Sequence, residues 1–482
     1  MNKRKIVSKL LISIFTLFTI ISLVLPFSNA KAEEKTYIIA TDVTFAPFEF
    51  QDENGDFVGI DMDLLKAIAE DQGFKYQVRP LGFNAAVQAL EAKQVDAVIA
   101  GMSITDERKL KFDFSDPYFD SGVIMAVDED NNKVSSYEDL KGERVAVKTG
   151  TEGAAFAQSI QDKYGFKVVT FDDSANMYED VKTGNSIACF DDYPVLAYGV
   201  KQGNGLKIVT DKESGSSYGF AVAKGENAEL LQMFNDGLSN LKASGEYQKI
   251  LDKYLETGDE EADSGFFGLL KESFPSLMSG LKMTIILTVV SLVAATILGV
   301  IFGLFQVSNK KLLRAIATIY VDIFRGTPLL VQAFFIYFGI PAALDIRITA
   351  VVAGIITLSL NAGAYIAEIV RGGIQSVDKG QMEASRSLGL PYRKAMSKVV
   401  LPQAIRIMIP SFINQFVITL KDTSILSIIG INELTQSGKI IIARNLESFQ
   451  MWLIVGIIYF IIIMILTKVS NHLERRIKHG EN

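Results

Sequence analysis

Arg108 and Asp192 are the charged residues of this chain with most to offer a small charged molecule. Arg108 closes the run Ala100-Gly101-Met102-Ser103-Ile104-Thr105-Asp106-Glu107-Arg108. Its guanidinium is a rigid planar fork of donors that suits a carboxylate better than a lysine would. The backbone N–H of Ser103 can add a donor. Asp192 can accept from an ammonium, with the carbonyl of Gly101 and the hydroxyl of Ser103 as further acceptors. Each residue alone has a plainer reading: Arg108 as a salt bridge to Asp106 or Glu107, Asp192 as a cap ahead of Pro194.

A different chemistry is written into Glu383-Ala384-Ser385-Arg386-Ser387-Leu388-Gly389, which continues through Pro391 to Leu401-Pro402. Lys379, Arg386, Arg393, Lys394 and Lys398 make it basic, and long apolar runs flank it. Basic loops between membrane spans stay on the cytoplasmic side. Gly389 is a natural helix stop and Pro391 can open a second helix, so the spacing predicts a helix–turn–helix.

Several functions are excluded. The two histidines, His472 and His479, lie in the C-terminal tail, and Cys189 is the one cysteine, which argues against a histidine base, a zinc site or an intrachain disulfide. Gly142 to Thr149 faintly resembles a phosphate-binding loop, but Val147 stands where glycine is needed. The chain is therefore expected not to hydrolyse ATP itself, and no cofactor is expected in it. A net charge of −7 with no basic stripe in the soluble half gives no sign of nucleic-acid binding.

The elements that must position these residues fall into two classes. Residues 1–32 read as a secretory signal peptide, with basic Lys3, Arg4 and Lys5, an apolar stretch from Leu10 to Leu25, and small residues at Ser28, Ala30 and Ala32. Residues 33–257 alternate strand and helix patterns, which predicts an α/β fold with largely parallel sheet. The apolar runs Val123–Val127 and Tyr218–Val222 read as crossings between two lobes, so the second lobe, about 128–214, is inserted into the first. Residues 258–272 start as an acidic, glycine-bearing linker. The hydrophobic fraction of 49% is concentrated after Phe266. Spans are expected within 283–309, 312–337 (broken near Gly326-Thr327-Pro328), 348–367, 407–420 and 449–467, about five in all across residues 273–478. An exported first domain and basic cytoplasmic segments then place the 378–402 loop and the C-terminus inside.

The series Thr41-Asp42-Val43-Thr44-Phe45-Ala46-Pro47-Phe48-Glu49, Gly59-Ile60-Asp61-Met62-Asp63, Ala100 to Arg108 and Phe112 to Tyr118 resembles the polar amino-acid-binding proteins of bacterial ABC importers, most closely the glutamine-binding type. The Glu383–Pro402 pattern resembles the coupling loop of ABC permeases, with Ser385 where a second alanine is common. Arg325-Gly326-Thr327-Pro328 and Asn361 to Gly372 resemble amino-acid permease signatures. The resemblance implies a type II bilobal periplasmic-binding-protein-like domain fused to an all-α permease of a type I ABC importer. It implies a multi-pass protein of the cell membrane, its binding domain outside, that borrows ATP hydrolysis from a separate ABC ATPase subunit. The permease half has too few spans to enclose a pathway alone, which points to a homodimer.

The resemblance assigns the ligand's carboxylate and ammonium to Arg108, Ser103, Gly101 and Asp192. It gives Phe45 and Phe83 to the ligand's methylenes, Asp42 and Lys148 to its side-chain amide, and Thr151 to added contacts. Glu383, Ala384 and Gly389 are the coupling residues. Asp191 and Glu152 depart from the glutamine-binding pattern and add negative charge near the ligand. Glutamine is the expected ligand, with protonated glutamate as a second. Glutamate, asparagine or arginine are the alternatives. A ligand-gated channel also joins such a domain to spans, but there the pore interrupts the binding domain. A dehydratase on the same fold would leave the spans unexplained. Glutamine affinity should be nearly flat between about pH 5.5 and 7.5, where a normal Asp or Lys does not titrate, while glutamate affinity should fall about tenfold per pH unit.

Overall fold

The computed structural model describes residues 35–52, 55–213, 215–255, 266–445 and 447–479. The expected signal peptide and residues 258–265 of the expected linker lie outside the described residues. The receptor part uses strands β1 (Thr36–Thr41), β2 (Lys75–Pro80), β3 (Ala97–Val98), β4 (Phe112–Phe114), β5 (Val123–Asp128), β6 (Arg144–Lys148), β7 (Lys167–Phe171), β8 (Ala188–Asp192), β9 (Leu206–Ile208) and β10 (Ala221–Ala223). They form two five-stranded sheets, ordered β2-β1-β3-β10-β4 and β7-β6-β8-β5-β9. Within each sheet a parallel core (β1 with β3; β7, β6 and β8) meets antiparallel strands at β10 and β5. Chain that leaves one sheet and returns antiparallel to it produces this mixture.

Helices α1 (Ile60–Gln72), α2 (Phe83–Glu91), α3 (Glu152–Tyr164), α4 (Ser174–Lys182), α5 (Tyr193–Lys201), α6 (Ala228–Ser244) and α7 (Glu246–Leu255) cover the sheets. α1 shows why: Leu64, Leu65 and Ile68 form a buried stripe at helical spacing, and Gly73 ends the helix in the left-handed region at φ +71. α6 and α7 return to the first lobe, and Leu230, Phe234 and Leu238 pack with Leu64 and Ile68.

The crossings lie slightly ahead of the two apolar runs read from the sequence. Val123–Asp128 is a strand of the second sheet and Ala221–Ala223 one of the first. The lobes are joined by a short antiparallel ribbon that pairs Phe119 with Tyr218 and Asp120 with Ser217. A ribbon of this kind is a hinge, since few backbone angles need change for the lobes to part.

The permease part begins with α8 (Phe266–Gln306), which starts inside the segment expected as linker. It continues with α9 (Lys311–Gly326), α10 (Leu329–Leu344), α11 (Ala350–Gln375), α12 (Lys379–Ser387), α13 (Tyr392–Ile429), α14 (Leu434–Asn445) and α15 (Ser448–His479). Among the described residues four helices are long and apolar enough to cross a membrane, and α9 with α10 makes a fifth candidate bent by 107°. The bend falls at Thr327-Pro328, where proline removes a backbone donor. α8 and α11 pack closely because Gly299 and Gly303 face Ile366 and Val370, leaving no room for a β-carbon.

Candidate functional site

A cleft between the lobes is lined by Asp42, Phe45, Phe83, Ala100, Gly101, Ser103, Arg108, Lys148, Thr151, Glu152 and Asp192. The structure thus brings all nine ligand-binding candidates together, and adds Ala100 and Glu152. Most of them sit at or just past the end of an element. Asp42 follows β1, Gly101 and Ser103 follow β3, Lys148 ends β6, Thr151 caps α3, and Asp192 ends β8. Gly101 has φ +51, and a β-carbon there would strike the Phe45 ring, so glycine lets the ring lie on the backbone.

Arg108 does not pair with Asp106, which is bound to Lys109, or with Glu107. Its Nη1 donates to the Ser103 carbonyl at 2.8 Å and its Nη2 crosses to the Gly150 carbonyl of the second lobe at 2.9 Å. The guanidinium lies over the Phe83 ring, 5.2 Å from its centre. Burial pushes the Arg108 pKa down, opposed by the charges of Asp192 and Glu152. Thr105 accepts from the Arg108 N–H and so fixes the turn that aims the side chain.

Asp192 stands at the N-cap position of α5, but its side chain makes no cap bond. Oδ2 accepts from the Tyr218 hydroxyl at 2.5 Å, while the buried Oδ1 has no partner. Burial, with the charges of Asp191 and Glu152, raises the Asp192 pKa to about 7. This departs from the ordinary aspartate assumed from the sequence. A buried acceptor with nothing to accept is costly, and an incoming ammonium is the group that would satisfy it.

Lys148 and Asp42 meet directly: Nζ to Oδ2 is 2.6 Å, with the two side chains 1% and 2% exposed. The other Asp42 oxygen accepts from the backbone of Val43 and Thr44 and from the Thr44 hydroxyl. Burial lowers the Lys148 pKa, but the charge and hydrogen bond of Asp42 outweigh it, so the net direction is up. The ammonium also lies 4.8 Å from the centre of the Phe45 ring. This side of the cleft is therefore closed by a buried Lys148–Asp42 pair, and Glu152 is a further carboxylate among the lining residues.

Asp191 points away from the cleft. Neighbouring residues of a strand face opposite sides, and Asp191 accepts from the Tyr178 hydroxyl on α4 at 2.7 Å. Its charge still reaches Lys148 and Asp192. Glu152 lines the cleft, held by the N–H and hydroxyl of Ser216.

Sequence reasoning missed a layer beneath the site. Asp61 is buried and accepts from the Gly101 N–H at 2.9 Å and the Tyr118 hydroxyl at 2.8 Å. Its signal was visible, because Asp61 takes the first position of the stripe it shares with Leu64, Leu65 and Ile68. Glu49 lies beside it, fully buried, with its carboxyl turned to that of Asp61. Burial and the charges of Asp61 and Asp42 hold its pKa well above the usual carboxylate range.

On the permease, α12 is capped by Asp378, and Gly389 turns the chain at φ +85 before Pro391 starts α13. Glu383, Ala384, Arg386 and Leu388 are exposed, while Ser385 is buried and donates to the Gln381 carbonyl. The short α12 and the first turn of α13 thus present a charged outer face around the Gly389 turn.

Both parts of the chain match known families. Bacterial extracellular solute-binding proteins, family 3, match residues 37–257, and the binding-protein-dependent transport system inner membrane component matches residues 295–479. The glutamine transport system permease protein GlnP of Escherichia coli strain K12 is 39% identical over 43% of this chain and 94% of its own length. This chain belongs to the amino-acid ABC importer permeases. It carries a fused solute-binding domain, and with its apolar helices it is a multi-pass membrane protein whose receptor domain is of the extracellular type. The arginine transport system permease protein ArtQ of Bacillus subtilis strain 168 is 35% identical over 43% of this importer chain and 94% of its own. Substrate-binding domain 2 of Lactococcus lactis GlnP, in open conformation, is 43% identical over 48% of this chain and 99% of its own, with a TM-score of 0.37.

Proposed function

We propose that this chain is the receptor and permease subunit of a glutamine importer, working as a homodimer with a separate ABC ATPase subunit docked on the 378–402 loop. The observation that carries the choice of ligand is the buried Lys148–Asp42 pair in the cleft wall. Arginine would bring a second cation against Lys148. Glutamate would bring a carboxylate to a wall that already holds Asp42 and Glu152. An amide offers one acceptor and two donors, so it can accept from Lys148 and donate to Asp42 without adding charge. Arg108 and the Ser103 N–H receive the α-carboxylate, Asp192 with the Gly101 carbonyl and Ser103 hydroxyl receives the ammonium, and Phe45 and Phe83 pack on the methylenes. Thr151, which donates to the Lys148 carbonyl at 2.7 Å, steadies the lysine's strand end.

The cleft leaves about 10 Å³ at a water molecule's centre, the space of one water. A larger amino acid enters only when the lobes part at the Phe119–Tyr218 ribbon. Closure then places Arg108 against Gly150 of the opposite lobe and Lys148 against Asp42, so ligand and closure are coupled. Transport follows if the ATPase, with the C-terminus of the chain on its own cytoplasmic side, senses the closed receptor through the spans.

Calorimetric titration of the full chain in nanodiscs with L-glutamine, L-glutamate, L-asparagine and L-arginine at pH 7.5 tests the ligand. Glutamine should bind at least about tenfold, or 1.4 kcal/mol, more tightly than the other three. Arginine or glutamate binding as well as glutamine would overturn the reading.

A further inference from the structure

We propose that the receptor is mounted on the permease by its first lobe alone, through Asp96 and Gln94, and that the permease reads the second lobe through Ala175 of α4. This rests on the importer reading above and adds to it the surface by which a closed cleft is sensed.

The first lobe carries a built polar joint. Arg347, in the turn between α10 and α11, grips Asp96 with both nitrogens, at 2.9 and 3.2 Å. Asp96 is almost fully buried and also accepts from the Ile38 N–H of β1, so the grip reaches the sheet itself. Gln94 donates to the Ile346 carbonyl and accepts from the Ile348 N–H, at 2.9 and 3.1 Å. That reciprocal pair fixes the register of residues 346–348 as a strand partner would. Arg79 bridges the Gln94 carbonyl and the Tyr337 hydroxyl. Leu81 packs with Tyr337, Leu426, Ile429 and Ile431, so closely that a β-carbon on Gly430 would run into it. None of these residues lines the cleft.

The second lobe touches the permease differently. Ala175 on α4 sits in one apolar cluster with Leu269, Leu434, Ile441 and Met451 of the permease. The same helix carries Tyr178, whose hydroxyl donates to Asp191, next in the chain to the ligand-facing Asp192. α4 is thus joined to β8 on one side and seated on α14 on the other. When the hinge opens, the second lobe moves relative to the first, and the small apolar Ala175 contact moves with it. The permease contact that depends on closure is therefore α4 on α14, and the Asp96–Arg347 joint does not depend on it.

The test uses the full chain with its ATPase subunit in nanodiscs, with L-glutamine as the probe. Asp96→Arg and Arg347→Asp should each cut glutamine-stimulated ATP hydrolysis about tenfold while leaving the glutamine Kd within about twofold, and the double swap should restore at least half of it. Ala175→Trp should abolish the stimulation with the Kd unchanged. A short bis-maleimide reagent, which adds one cysteine thiol across each of its two double bonds, should join Gln94→Cys to Ile346→Cys with equal yield with and without glutamine, and the buried Cys189 gives no background. A cross-link that forms only with glutamine, single variants with full stimulation, or a normally stimulated Ala175→Trp chain would each overturn the proposal. Wild type that no amino acid stimulates would instead refute the importer reading, and the cross-link would still report the mount.

Discussion

Asp192 shows how one residue can set both recognition and pH response. Its Oδ1 awaits a donor, and burial lifts its pKa to about 7. An ammonium at Oδ1 favours the ionised form and pulls the pKa back down. Below the raised pKa the residue holds a proton that binding must expel. Glutamine affinity should therefore weaken as pH falls from 8 to 6, approaching tenfold per unit at the acid end. This replaces the flat profile expected from the sequence. Titration calorimetry of the full chain in two buffers of different ionisation enthalpy would count the proton released. Asp192→Asn should weaken binding by about 2–5 kcal/mol and remove the slope, and a slope that survives in Asp192→Asn would mean that another group titrates. Which residues line the cleft was legible through the resemblance of the Thr41–Glu49 and Ala100–Arg108 runs to amino-acid-binding proteins, since no one of those residues alone outweighs its plainer reading. That Lys148 and Asp42 hold each other was not, since they are distant in sequence and come from different lobes. The inward placement of Glu49 was hidden for the same reason: its burial comes from elements far along the chain.

Elements were legible where one local rule decided them and not where two competed. α1 follows from its apolar stripe, and the break between α9 and α10 from Thr327-Pro328. The apolar runs Val123–Val127 and Tyr218–Val222 read as crossings because a short buried run looks the same in a strand and in a connection. At Asp191, strand alternation turned the side chain to α4, an orientation that composition cannot give. Gly389 tests the coupling loop at this scale. Its φ of +85 is open to glycine and costly for a branched side chain, although a β-carbon there would touch nothing. Gly389→Val should therefore distort the turn between α12 and α13 by its backbone alone, at a cost of about 1–3 kcal/mol. Glutamine-stimulated hydrolysis and uptake should fall at least about fivefold, while the glutamine Kd measured on the same nanodisc sample stays at its wild-type value. Gly389→Ala, which has the milder strain, should fall between. Full uptake by Gly389→Val vesicles would remove the loop from the coupling path.

At the scale of the whole molecule, fusing receptor to permease changes what a dimer can do. A free receptor must find its permease by diffusion, whereas here the binding domain is always within reach at an effective concentration set by its tether. A homodimer built from two such chains carries two receptors over one pathway. If each receptor is mounted on its own chain by Asp96 and Arg347, either one can present ligand without the other. A dimer of one wild-type chain and one Arg108→Ala chain should then keep about half of the stimulated hydrolysis, with the Kd of the surviving site unchanged. Differently tagged chains, co-expressed and purified through both tags in sequence, give that species, and native mass spectrometry checks its composition. Half activity means that the receptors act one at a time. Loss of all stimulation would mean that both clefts must close together, and the two mounts would then have to be read as one joint device rather than as independent seats.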